Sequence, residues 1–78
     1  AKMVPVPGLP FNVLPEWFAT SAAKLRRGAA VTLTPHGFGI GYQLTAAGRG
    51  NDRRSRASAA LEKAIGFAPI HVSQFDHD

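Results

Sequence analysis

Cysteine is missing from this chain of 78 residues. Its absence excludes a disulfide framework and any thiolate metal site. Long apolar runs are missing too. None approaches the ~18 residues that span a bilayer, so no transmembrane helix is expected. The N-terminal stretch lacks the charged region and apolar core of a signal peptide, so the expectation is a cytoplasmic protein. Acidic residues are few, five against nine Lys and Arg. Glu16 and Glu62 fall on separate expected helices, and no Ser/His pair is nominated by spacing. The sequence therefore points away from an enzyme. The phosphate-loop spacing G-x-x-x-x-G-K-[ST] does not occur, which argues against a nucleotide cofactor. His71, Asp76, His77 and Asp78, joined by His36, are a weak metal constellation because most of them sit in a terminal tail; no metal or other cofactor is expected.

What the chain does have is enough apolar surface for one small core. Apolar residues make up 45%, including five Phe, one Trp and one Tyr, which is too much for a disordered chain. A chain this short buries only about 60–65% of the surface it exposes when unfolded. One domain is expected, and a homodimer would add buried surface.

Charge is unevenly distributed. Residues 1–48 carry +3, residues 49–66 carry +3 in a much shorter stretch, and the tail from Phe67 carries −2. Within the middle stretch lies Gly48-Arg49-Gly50-Asn51-Asp52-Arg53-Arg54-Ser55-Arg56, a Gly-containing loop running into an expected helix. Cations at a helix start oppose the helix dipole, at a cost of about 0.3–1 kcal/mol each when exposed. Guanidinium forks, mobile glycines and free helix-start amides together suit phosphate. Arg49, Arg53, Arg54 and Arg56 are thus the candidate anion-binding residues. Lys63 lies on the same flank as Arg56, and Arg26 and Arg27 extend the patch if the end of the first helix lies nearby. The leading expectation is a non-enzymatic module that contacts nucleic-acid phosphates. The alternative is a protein-interaction module, an inhibitor or assembly factor, that sets the same arginines against an acidic protein surface. In that reading the N-terminal arm or the hairpin edge supplies a second contact.

Pattern and punctuation predict the elements. Pro5, Pro7 and Pro10 make residues 1–14 an extended, Pro-rich arm, and residues 15–78 a single α+β domain. A helix is expected over Pro15–Arg27, with Pro15 at its first position, Leu14 at the cap and Gly28 as a left-handed stop. Ala30–Pro35 and about Phe38–Thr45 read as a hairpin around Pro35-His36-Gly37. In it Phe38, Ile40, Tyr42 and Leu44 share an apolar face, and Gly37, Gly39 and Gly41 leave the other nearly bare. The second helix is expected from Asp52 or Arg53 to Ile65, capped by Asn51 or Asp52, with Ala57, Ala60, Leu61, Ala64 and Ile65 as its core stripe. Ile70–Phe75 is a candidate third strand. The order arm-α-β-β-α-(β) implies a small antiparallel sheet packed against two helices, and that order alone transfers no function.

Overall fold

Proline and glycine set the first turn of the molecule. In the computed structural model, which describes residues 2–48 and 55–77, the arm folds back on itself. Strand β1 (Val4–Pro5) pairs antiparallel with β2 (Asn12–Val13). The bend between them is closed by Leu9 N–H donating to Val6 O at 3.0 Å. Pro7 and Gly8 occupy its two central positions, and Gly8 has φ +94°. Pro followed by a positive-φ Gly is the chemistry of a type II turn. Val6 and Val13 are buried in the main core, so the arm packs on its own chain.

Helix α1 (Pro15–Arg26) begins at the expected cap, Leu14, which has extended backbone and makes no side-chain cap bond. It stops as the glycine predicts. Gly28 has φ +82°, Ala29 N–H donates to Lys24 O and Gly28 N–H to Leu25 O, both at 3.0 Å. These two bonds are the pair that satisfies the last carbonyls of a helix closed by a left-handed residue.

Strands β3 (Val31–Leu33), β4 (Ile40–Ala46) and β5 (Ile70–Asp76) form one antiparallel sheet in the order β3-β4-β5. The expected third strand is present. Registers Val31↔Leu44↔Val72 and Leu33↔Tyr42↔Gln74 put one row of side chains on the helix side. The other side carries Thr32, Gln43, Thr45, His71 and Ser73. Leu44 and Tyr42 are buried, as their face requires, but Phe38 and Ile40 are 40% and 38% exposed. The shared apolar face is therefore covered over only half its length. The strand runs past its cover: Ile40 pairs with Asp76, beyond the last β3–β4 pair at Leu33↔Tyr42.

Helix α2 (Arg56–Ile65) starts later than Asp52 or Arg53. Its cap is Ser55, whose Oγ accepts the Ser58 N–H at 3.0 Å, and not Asn51 or Asp52, which lie outside the described residues. Gly66 closes it with φ 75°. The buried face holds Ala57, Ser58, Leu61, Glu62 and Ile65, while Ala60 is half-buried and Ala64 exposed. Relative to the all-apolar stripe, that face is turned by roughly 60° at 100° per residue. The cause is polar: Glu62 Oε2 accepts the buried Ile70 N–H at 3.0 Å, which draws the Glu62 side of the helix onto β5. Helix α1 lies over β3 and β4, α2 lies over β5, and the two helices touch. Leu25, Leu44 and Leu61 fill the centre at 1%, 0% and 0% exposure. The molecule is an α+β fold, with two helices and two antiparallel sheets among the described residues.

Candidate functional site

The candidate cations separate into different surroundings. Arg49, Arg53 and Arg54 lie outside the described residues. Arg56 is the first residue of α2, and no acidic residue stands in that first turn. Arg56 and Lys63 are both exposed and seven residues apart, hence two turns along one side, about 10 Å. The turned buried face leaves that side opposite the core. Arg26 lies apart from Arg56. Its Nη2 donates to Gly66 O at 3.3 Å, and its guanidinium stands 6.0 Å from the centre of the Phe67 ring. It therefore occupies the far end of α2 from Arg56, about 15 Å along the axis, and caps that helix. Arg27 is exposed at the end of α1. The end of α1 thus lies beside the C-terminus of α2, the end that carries Lys63 in its last turn, and away from Arg56.

The start of α2 is also less open to an anion than the sequence suggests. Ser55 Oγ already takes one of the free amides, and it lies 2.8 Å from Ser58 Oγ. Ser55 and Ser58 thus belong to the cap. Immediately beside them, the arm packs tightly: a Cβ added to Gly8 would stand 2.6 Å from Ala57 N.

The glycine row of the hairpin has an internal occupant. Phe75, the cross-strand neighbour of Gly41, lays its ring over that glycine, so that a Cβ there would come within 2.5 Å of the ring. The covering group is a side chain from β5, rather than a helix or arm backbone. His77 N–H donates to Gly39 O at 3.1 Å, and its ring lies 6.3 Å from that of Phe75. His36 sits in the β3–β4 turn and His71 on the outer sheet face. Among the described residues no three His, Cys, Asp or Glu gather as metal ligands, and no helix is long and apolar enough to cross a membrane.

One feature escaped the sequence. The arm and the hairpin turn, far apart in the chain, are the two sides of an apolar groove of about 420 Å³. Met3, Phe11, Val13, Leu14 and Trp17 form one wall; Leu33, Pro35, His36 and Phe38 form the other. Phe11 is the hinge of the packing, with ring centres 5.3 Å from Phe38 and 5.6 Å from Tyr42. Met3, Leu14 and Phe38 are 50%, 43% and 40% exposed, and no lining residue is acidic. The available signal was the number of apolar side chains in the arm, which exceeds what one short hairpin buries. No family model, no curated protein and no solved structure matches the chain.

Proposed function

We propose that this protein is a small non-enzymatic interaction module whose partner is an acidic protein that inserts an apolar segment. The observation that carries the reading is the groove between arm and hairpin turn, with three large apolar side chains left 40–50% exposed around it. Clustered exposed apolar groups mark interaction sites, whereas scattered ones are ordinary. The arm links this groove to the start of α2. Met3 and the arm's second strand line the groove, and its turn at Gly8 abuts the first turn of α2, which follows Arg53, Arg54 and Ser55 in sequence. A partner seated on the arm meets apolar contacts in the groove and, where Gly8 abuts Ala57, the helix start that opens with Arg56. The apolar contacts supply affinity, and the cations speed and orient encounter.

A second reading keeps the same cations and exchanges the partner. In it Arg49, Arg53, Arg54, Arg56 and Lys63 hold nucleic-acid phosphates. The net charge of +4 and the absence of any acidic residue in the first turn of α2 favour it. That reading has no use for the groove.

Nuclease-treated pull-downs with three baits separate them: wild type, Leu14→Asn/Phe38→Asn, and Arg53→Glu/Arg54→Glu. The interaction reading expects an acidic protein captured by wild type, lost with the groove variant and reduced with the charge variant. It is overturned if the folded groove variant retains every captured protein. The phosphate reading expects instead a duplex mobility shift at ~50 mM salt that weakens with a log–log slope near −0.9 per phosphate contact. It expects that shift to vanish in the charge variant and persist in the groove variant.

A further inference from the structure

Hydrogen-bond phase shows which side of β5 is open. Strands β4 and β5 pair without a bulge from Ile40↔Asp76 to Ala46↔Ile70. His77 N–H donates to Gly39 O, and Ala47 N–H donates to Pro69 O, so the ladder continues in step at both ends. In an antiparallel pair, residues that exchange bonds point both backbone groups at the partner, and those between them point both away. His71, Ser73, Phe75 and His77 therefore face β4. Ile70, Val72, Gln74 and Asp76 direct N–H and C=O to the outer edge. The Ile70 N–H confirms the phase, since Glu62 on α2 takes it from that side.

Among the described residues no strand pairs with this edge. Its only guards are α2, which covers Ile70 through Glu62, and the charge of Asp76; proline, lysine, a bulge and very short length are absent. Ile70–Asp76 has seven residues, no proline and no lysine. The opposite edge, β3, has three residues and is followed closely by Pro35. Ser73, Gln74, Phe75 and Asp76 are all exposed, so the far half of β5 stands clear of α2.

We propose that β5 pairs antiparallel with β5 of a second copy of this chain, joining two three-stranded sheets into one of six. The free groups select the register. With Gln74 on the two-fold axis, Val72 faces Asp76 of the other copy, and all three open residues bond, giving about six backbone hydrogen bonds. Ile70 stays outside the pairing with its amide on Glu62. A register centred on Ser73 is disfavoured: it sets Asp76 against Ile70, whose amide is already taken by a carboxylate. In the Gln74 register the two Asp76 side chains stand about 13 Å apart along the strands, beyond the ~8 Å screening length of physiological salt. An isologous contact of this kind closes at two copies and leaves β3 as the outer edge.

Sedimentation or light scattering at ~100 µM chain tests the pairing, since a micromolar complex is then mostly assembled. The expected mass is twice the 8.3 kDa of the chain. Gln74→Pro removes an outward amide and no bond to β4, and Gln74→Lys places two cations on the axis while keeping that amide and the strand's backbone freedom. Both are expected to be folded by circular dichroism and monomeric. Hydrogen exchange supplies a second readout: Val72, Gln74 and Asp76 amides slow as concentration rises, while Ile70 is protected throughout. A monomeric wild type, a dimer that survives both substitutions, or fast exchange at those three amides at every concentration overturns the proposal. So does a dimer lost in Leu14→Asn/Phe38→Asn and retained in Gln74→Lys, which would move the contact to the groove.

Discussion

Glu62 is the side chain whose role depends most on where it lies. On the sequence it is one carboxylate in the last turns of an amphipathic helix. In the structure it is 6% exposed and its Oε2 holds the first amide of β5. One interaction therefore joins the orientation of α2 to the start of the last strand. Removing an acceptor from a buried amide costs about 1–3 kcal/mol, whereas a neutral acceptor of the same shape costs less. Glu62→Ala is accordingly expected to lower the melting temperature by several degrees, at about 4–8 °C per kcal/mol for a chain of this size. Glu62→Gln is expected to fall by less. Thermal melts of the two variants, compared at one pH, check the order, and an unchanged Glu62→Ala would remove the anchoring role.

At the level of elements, two glycines of superficially similar type have different jobs. Gly8 has positive φ and lies against the backbone of Ala57, which cannot move without shifting the start of α2. Gly41 lies under the far end of the Phe75 ring, and Phe75 is 37% exposed and can swing outward. Gly8→Ala combines left-handed strain of about 1–2 kcal/mol with a clash between elements. It is expected to be destabilised by more than ~2 kcal/mol, in the upper part of the usual range for a single substitution. Gly41→Ala is expected to stay within about 1 kcal/mol, with Phe75 displaced and the relief of a glycine in a strand as partial compensation. Urea titrations of both variants test the contrast; equal losses would show that the arm turn is not held against α2.

For the whole molecule, the arm belongs to the core. Val6 and Val13 are 4% and 2% exposed and touch the cluster that includes Leu25, Leu44 and Leu61. Full burial of such a side chain contributes about 1.5–3 kcal/mol. A chain of this length has a total stability on the order of 4–12 kcal/mol. A chain truncated to residues 14–78 is therefore expected to lose its cooperative thermal transition, measured by calorimetry. A truncated chain that melts within a few degrees of the intact one would show instead that residues 15–78 are an independent domain.

Much of the architecture is legible from local chemistry. Pro15, Leu14 and Gly28 mark α1 because helix ends are decided by groups within one turn. Alternation in Val31–Leu33 and Ile40–Ala46, and Gly66 with Pro69 before the last strand, place the remaining elements for the same reason. The basic stretch from Arg49 to Arg56 is likewise visible as composition. The rest depended on contacts between residues distant in sequence. Only packing turned α2 toward Glu62, because the partner of that carboxylate is an amide eight residues on, beyond the helix end. Only packing set Arg26 at Gly66, folded the arm onto α2, and brought Met3 and Leu14 face to face with Phe38. Periodicity reports which side of an element is apolar; which element covers it, and what is left uncovered, is determined by the arrangement of all of them together.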